Sequence, residues 1–448
     1  MAQRLMARWM TPARILTVGF ASLIFLGAFL LSLPIASKTG QGLNFMNALF
    51  TATSAACVTG LVVVDTLTQF SLFGQIVILS LIQIGGLGFM TVATFIIIFT
   101  GRRIGLRERL VIQEALNVNS LEGVIRLVRN IVLITMGIEL VCAAILAFRF
   151  SYDMPTVRAI YYGVFHAISS FCNAGFDLFG DFRSLTGYVN DPIVNIVIMV
   201  LIILGGLGFT VMVDLWRVPK GERLSVHSKL VLLTTAGLLV FGAIGYLLLE
   251  MNNPKTLGTL GWGDKLLASL FASTTARTAG YATIDYGSLS DSSLLWTILL
   301  MFIGGSPGST AGGIKTVTTI VILLYVWSVI TGKDSTVVFH KRIDPKTIYK
   351  SFIITVISAI LLIAVTFALT ISEHHIAFIR LLFEATSAFG TVGLSTNLTP
   401  ELSPFGKLLI TVMMYIGRVG PLTLTLALTA RGQDKALIKY PEEKLFVG

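Results

Sequence analysis

Charge is what this sequence has least of. Only 12% of its 448 residues are Asp, Glu, Lys or Arg, about half the share of an ordinary soluble protein. Proline is scarce at 12 residues, and cysteine scarcer at three. Cys57, Cys142 and Cys172 form no C-x-x-C pair and include an odd one, which leaves no metal knuckle, dithiol redox motif or disulfide scaffold to read. The same figures exclude collagen and disorder. What the chain has in excess is apolar: 54% of it is hydrophobic. A soluble domain of this length could not bury that much apolar surface. This is an integral membrane protein.

A helix needs about 20 apolar residues to cross a bilayer. Eight stretches are long enough, roughly 14–36, 74–100, 130–149, 192–213, 230–250, 292–328, 350–372 and 406–430. Four more, near 45–57, 159–172, 265–276 and 377–389, are too short to cross and suit re-entrant helices that return to the face they entered. The order is long, short, long, repeated four times. Arg4, Arg8 and Arg14 give the first stretch the look of a signal peptide, but Ile15 to Leu33 is longer than a signal core. The N-terminus, the loops near 101–129, 214–229 and 329–350, the C-terminus and Lys315 together hold 23 of the 33 Lys and Arg against 10 acids. That is a balance of +13, against −3 for the remainder. Positive charge collects in the cytoplasm, so a multi-pass protein with both termini cytoplasmic is expected. The basic balance needs no nucleic acid, and no groove-reading motif accompanies it.

An internal repeat carries the functional signal. Each short stretch ends in a related phrase: Ser54-Ala-Ala-Cys-Val-Thr-Gly60, Ser169-Ser-Phe-Cys-Asn-Ala-Gly175, Thr274-Thr-Ala-Arg-Thr-Ala-Gly280 and Ser387-Ala-Phe-Gly-Thr-Val-Gly393. The glycines are 115, 105 and 113 residues apart. A hydroxyl residue stands six positions before each, and a large apolar residue directly after. A second phrase recurs in the following long stretch: Gly85-Gly-Leu-Gly88, Gly205-Gly-Leu-Gly208, Gly304-Gly-Ser-Pro-Gly308 and Gly417-Arg-Val-Gly420. Glycines on spanning helices usually allow close packing, which accounts for the second phrase taken alone. It does not account for the first, which falls where a short helix must stop.

A helix stopping at mid-membrane leaves carbonyls that lipid cannot satisfy, so they must face protein or a watery path. Four such ends around an axis would present a ring of carbonyl oxygens able to replace the hydration shell of a monovalent cation. Glycine suits the turn through its access to positive φ, and the helix C-termini turn partial negative charge toward the axis. Val-Thr-Gly-Leu at 58–61, Arg-Thr-Ala-Gly at 277–280 and Phe-Gly-Thr-Val-Gly-Leu at 389–394, with the four long–short–long units and the broken third inner stretch, resemble the Trk/Ktr/HKT superfamily of K+ transporters. They are most similar to the membrane subunit of bacterial Ktr-type uptake systems. The resemblance covers nearly the whole chain.

That resemblance implies an all-α membrane fold of four covalently linked helix–pore-loop–helix repeats, with eight spanning and four re-entrant helices around a pseudo-fourfold pore. The expected division is 1–105, 106–220, 221–340 and 341–430, with a cytoplasmic tail at 431–448. It implies a selectivity filter made by Val58, Thr59 and Gly60, by Asn173, Ala174 and Gly175, by Thr278, Ala279 and Gly280, and by Thr391, Val392 and Gly393. K+ would sit on their backbone carbonyls. Superfamily members with serine at the first glycine often favour Na+; Gly60 here favours K+. It further implies a homodimer in the plasma membrane and a cytosolic ring of nucleotide-binding regulatory subunits, octameric in the family. The nucleotide belongs to that partner, since this chain has no soluble domain to hold one. Whether Na+ stimulates uptake is left open. The alternative function is a Na+- or H+-coupled cation symporter, though carriers usually pair their broken helices around one midplane site.

Several residues have two readings. Gly304, Gly305, Ser306, Pro307, Gly308, Ser309, Thr310, Ala311, Gly312 and Gly313 interrupt a long apolar stretch, either as a packing kink or, as the resemblance implies, as a gating loop (304–314) beneath the filter. Lys315 and Thr316 mimic a Walker loop, but Ile314 separates Lys315 from the glycine and no strand precedes it. Arg418, the one charge in the interior of the last stretch beyond Lys407 at its start, either pairs with a buried acid such as Glu139 or Glu384 or stands below the filter as part of the gate. Arg277 is expected to find a buried partner that braces its pore loop. Cys57 and Cys172 read as small buried hydrophobes. His166 and Ser309 lie in different repeats and lack the third group of a catalytic triad, so no enzyme is expected.

Overall fold

The computed structural model describes residues 11–100, 105–116, 123–420 and 423. Helix α1 (Pro12–Ser32) begins at a Thr11 cap with Pro12 in its first turn. The short α2 (Phe45–Ala56) follows, then a single turn, α3 (Thr66–Gln69), then α4 (Leu72–Leu87) and α5 (Phe89–Phe99). After α6 (Leu106–Leu116) come α7 (Val124–Phe150), the short α8 (Thr156–Phe171), α9 (Pro192–Leu207) and α10 (Phe209–Arg217). Next are α11 (Val226–Glu250), the short α12 (Trp262–Thr275), α13 (Asp291–Phe302) and α14 (Thr316–Ile330). A two-stranded hairpin, β1 (Val337–Val338) with β2 (Lys341–Arg342), precedes α15 (Pro345–Ser372), the short α16 (Phe378–Gly390) and α17 (Pro404–Val419).

Helices α1, α7, α11 and α15 are each long and apolar enough to cross a membrane unbroken. The helices that follow the short ones are not straight. The pair α4–α5 bends by 90° and α9–α10 by 101°, where the sequence leads one to expect continuous spans. The bends sit on Gly88 (φ 83, ψ 128) and Gly208 (φ 95, ψ 138), and α17 stops at Gly420 in the same conformation (φ 92, ψ 133). That combination is open to glycine and closed to residues with a Cβ. Between α13 and α14 the break widens into an irregular loop. Of the stretch 406–430, residues 421, 422 and 424–430 lie outside the described residues, as does the tail 431–448.

The helix after each short one starts on a side-chain cap: Ser71 accepts from Gly74 N, Asp191 from Val194 N, Ser290 from Ser293 N and Ser403 from Gly406 N. Such caps satisfy amides that the first turn leaves unpaired. The capping residues also fasten these helices to the ends of the long ones. The Glu250 carboxylate, fully buried at the end of α11, accepts from Ser290 N at 3.0 Å and Ser290 Oγ at 2.8 Å. Glu373, which ends α15, accepts from Ser403 Oγ at 2.5 Å. Arg149, near the end of α7, pairs with Asp191 at 2.5 Å, and Ser71 Oγ donates to Ile35 O at 2.6 Å. Apolar side chains on the outer faces, such as Phe25, Phe29, Leu140, Phe148, Ile363 and Phe367, are exposed. The buried core lies inward, around the ends of the four short helices.

Candidate ion pathway

The four short helices end alike. The amides of Thr59, Ala174 and Val392 reach back to the carbonyls of Ser54, Ser169 and Ser387, each at 2.8 Å. Ala279 N makes the corresponding bond to Thr275 O at 3.0 Å. The repeated hydroxyl then secures the turn, but not uniformly. Ser54 Oγ and Ser387 Oγ accept from Gly60 N and Gly393 N, both at 3.1 Å. Ser169 Oγ donates to Phe176 O at 2.8 Å. In the third copy Thr275, not Thr274, does this work, donating to Tyr281 O at 2.6 Å while Thr274 bonds back to Leu270 O.

After each helix end, residues of positive φ alternate with others. Val58 (φ 52), Asn173 (φ 59), Thr278 (φ 70) and Thr391 (φ 50) each stand two positions before the glycine that ends the first phrase. The glycines themselves have φ 91, 69, 81 and 89. Opposite signs of φ on alternate residues let successive peptide planes face one way. For non-glycine residues the left-handed region costs on the order of 1 kcal/mol each, and more for the β-branched Val58, Thr278 and Thr391. Such strain persists where the surroundings impose it. All four residues are fully buried.

The glycines meet one another in a closed ring. A Cβ placed on Gly60 would lie 2.5 Å from Ala174 O, on Gly175 2.6 Å from Ala279 O, and on Gly280 2.7 Å from Val392 O. On Gly393 it would collide with Thr59 O, which returns to the first segment. The order is first to second to third to fourth to first. Each glycine is therefore needed twice over, for its backbone angle and for the space beside the next segment's carbonyl. Segments two and three are joined further: Tyr281 OH donates to Phe176 O at 2.9 Å, and the Asn173 amide meets Thr278 Oγ1 at 3.2 Å.

The second glycine phrase serves packing. A Cβ on Gly85, Gly205 or Gly417 would strike the carbonyl of Ala56, Phe171 or Phe389, each four residues before the glycine that ends the first phrase. Close approach of these helices to the short-helix ends therefore requires glycine. The third copy departs, because Gly304 packs against Gly312 of its own loop.

That loop lies directly against the segments of the glycine ring. Thr310 Oγ1 donates to Phe171 O at 3.3 Å and to Gly205 O at 3.0 Å, and Ser306 N donates to Gly206 O at 2.9 Å. Gly312 faces the Thr391 side chain at a spacing no Cβ would fit, and Gly313 faces Gly390. Arg277, buried, donates to Gly304 O at 3.2 Å, the bracing partner expected of it. Lys315 Nζ closes the loop on Ala311 O at 2.6 Å. Arg418 donates to Thr310 O, Gly85 O and Gly86 O, so it ties the loop to the bend of α4. Among the described residues Arg418 pairs with neither Glu139, which accepts from Gln83, nor Glu384, which accepts from Thr399. Cys57 and Cys172 are buried thiols, and His166 sits in an aromatic cluster with Phe150 and Phe179, its Nδ1 2.7 Å from Tyr162 O.

On the other side, the four glycines of the ring open into a cavity of about 510 Å³. Asp65, Asp177, Asp181, Asp285 and Glu401 line it, with Arg183 as its one cation among the described residues. Arg183 is already paired with Asp181 at 3.1 Å. Asp65 and Asp285 are held in place, accepting from Thr68 N at 2.7 Å and Gly287 N at 3.0 Å. The Asp177 carboxyl is raised to about 7. Burial is the main cause; the Phe179 amide opposes it and the nearby Asp65 charge adds to it. These acids are candidate functional residues that lie outside the two glycine phrases. Their signal was an aspartate five residues after both Gly60 and Gly280.

The family described as TrkH, cation transport protein, matches residues 3–438. Ktr system potassium uptake protein B of Bacillus subtilis is 46% identical over 438 residues, covering 98% of this chain and 97% of that protein. The protein of the same name from Vibrio alginolyticus is 41% identical, covering 97% and 94%. Potassium/sodium uptake protein NtpJ of Enterococcus hirae is 39% identical, covering 98% of each. Among solved structures, the potassium transporter TrkH of Vibrio parahaemolyticus aligns with a TM-score of 0.70 at 17% identity, over 92% of this chain and 85% of that one. That likeness speaks for the fold.

Proposed function

This chain belongs to the TrkH family of cation transport proteins, and from that premise we propose that it is the K+-conducting membrane subunit of a Ktr-type uptake system. The observation that carries the reading is the closed ring of Gly60, Gly175, Gly280 and Gly393, each seated against the carbonyl before the next. Four covalently linked repeats, 1–105, 106–220, 221–340 and 341–430, supply one quarter of the ring each. Carbonyls of residues 58–60, 173–175, 278–280 and 391–393 replace the water around a dehydrated K+. The acidic cavity is the extracellular entrance, where focused negative potential raises the local cation concentration. The loop 304–314, with Lys315 and Arg418, is the gate on the cytoplasmic side.

No coupled reaction is required. A membrane potential of about 100 mV is worth about 2.3 kcal/mol per charge, which sustains accumulation on the order of 40-fold. Gating falls to a cytosolic nucleotide-binding ring, octameric as the resemblance implies, acting on a homodimer with cytoplasmic termini in the plasma membrane. The potassium/sodium relative, NtpJ, keeps Na+ in view as a second, stimulatory ion.

The test is flux into proteoliposomes holding the purified chain, with K+, Rb+ and Na+ exchanged in turn. Wild type should favour K+ and Rb+, with a reversal potential that follows the K+ gradient alone. Gly60→Ser should cut the K+ over Na+ preference at least about tenfold, equivalent to a change of about 1.4 kcal/mol in relative site energy, at unchanged protein yield. A reversal potential that moves with the Na+ or H+ gradient would establish the symporter instead. Unaltered selectivity in well-folded Gly60→Ser would remove Gly60 from the filter.

A further inference from the structure

Where α14 hands over to α15, the chain builds a pocket that ion conduction does not use. The β1–β2 hairpin turns on Phe339 (φ 46) and His340 (φ 62), and the Phe339 ring lies 5.7 Å from Lys229 Nζ at the start of α11. Ile343 N donates to Thr336 O at 2.9 Å, and the Ser328 and Thr336 hydroxyls bond each other at 3.0 Å. The hairpin is thus a fixed wall. Behind it is a cavity of about 340 Å³, lined by Lys333, Arg342, Tyr325, Tyr349, Ser335 and a single acid, Asp334, a size within the range of small-ligand pockets, about 300–1,000 Å³. Neither Lys333 nor Arg342 is in an ion pair among the described residues.

Two observations name the ligand class. The first is charge: residues 329–350 carry five Lys and Arg against two Asp, and two of those cations turn into the pocket unpaired. The second is the surface that continues from it. On α15, Tyr349, Ile353, Val356 and Ile360 fall at i, i+4, i+7 and i+11, and all are at least half exposed. Trp327 and Ile330 are exposed in the same way on α14. A soluble phosphate would satisfy the charges and leave that stripe unused. We propose that the pocket behind the β1–β2 hairpin binds the headgroup of an anionic phospholipid whose acyl chains lie along the exposed faces of α14 and α15. Basic pockets between helices at the cytoplasmic surface suit such headgroups, and tyrosine and tryptophan favour that depth. The site rests on the ends of α14 and α15 lying at a membrane surface, not on which ion is carried.

The test is native mass spectrometry of the purified full chain titrated with palmitoyl-oleoyl phosphatidylglycerol, or with phosphatidylcholine of the same chains. Each basic residue at a membrane surface is worth about 1 kcal/mol, about fivefold in affinity. Lys333→Gln with Arg342→Gln should therefore weaken retention of phosphatidylglycerol about 30-fold and leave phosphatidylcholine adducts unchanged. Arg342→Lys should retain the lipid. A control pair on another basic stretch, Arg126→Gln with Arg129→Gln, should leave this adduct in place. Undiminished retention by the Lys333/Arg342 variant, or equal loss in the control pair, would overturn the proposal. Displacement of the lipid by glycerol phosphate at matched concentration would make the site one for soluble phosphates and overturn it too. Transport need not be measured, so failure of the K+ reading leaves this result legible.

Discussion

Asp177 stands two residues beyond a filter glycine, with its carboxyl raised to about 7. At external pH 8 it is largely ionised and adds to the potential that draws cations inward. At pH 6 it is largely protonated and that contribution is lost. K+ uptake at sub-saturating concentration should fall about two- to threefold between pH 8 and 6, as 1 pH unit either side of a titrating group covers most of its change. Asp177→Asn should be slower at pH 8 and flat across that range. A variant that keeps the wild-type pH profile would assign it to another group. For folding the sign follows from where the proton sits. Between the usual carboxylate value and about 7 the native state keeps a proton the unfolded chain has lost, so Asp177 lets stability fall as pH rises through that window.

At the scale of elements, the loop 304–314 is held by contacts from three directions: Thr310 on the end of α8, Arg277 on Gly304 O, and Arg418 on Thr310 O. Its glycines and hydroxyl residues have little intrinsic helicity, so these contacts select its conformation. Replacing Arg418 by Ala removes the tie between the loop and the α4 bend, and should raise K+ flux severalfold while the protein stays folded. Deleting 307–311 should raise flux further and make it indifferent to the proposed regulatory partner and the nucleotide proposed for it. Single-channel or liposome flux checks both. A deletion that folds, conducts no faster and still answers to nucleotide would place the gate elsewhere. The same network joins the loop to the proposed filter, because the Thr391 side chain is the neighbour of Gly312.

Across the whole molecule, the acids of the outer cavity act together rather than singly. Asp65 and Asp285 cap local turns, a task asparagine performs nearly as well. Asp65→Asn with Asp285→Asn should therefore fold normally yet raise the KM for K+ about two- to fivefold. The effect should shrink in impermeant salt, where the screening length drops below about 10 Å. Much of this architecture was legible in the sequence because its signals are local. A glycine and a hydroxyl at fixed spacing marked where α2, α8, α12 and α16 end. The bends at Gly88 and Gly208 were not legible, since Gly-Gly-Leu-Gly serves equally for packing and for breaking a helix, and the backbone angle decides. The shift from Thr274 to Thr275 was hidden by adjacent threonines. The outer acids were legible only in part: Asp65 and Asp285 share a spacing of five residues from Gly60 and Gly280, whereas Asp177, Asp181 and Glu401 follow no such spacing and are brought beside them by the loops.

The glycine ring proposed as the filter is closed by one chain, its last segment at Gly393 returning to Thr59 of its first. This changes how the site can evolve. In a ring of four identical subunits every substitution arrives in four copies, and a charge beside the pore comes fourfold or not at all. Here a single codon alters a single quadrant. Arg418 and Arg277 appear once each, Asn173 and Thr278 meet across one corner alone, and Val58 and Thr391 differ at the others. Selection can adjust the dosage of charge and hydrogen bonding around the axis in quarter steps, at the cost that no quadrant can stand in for another.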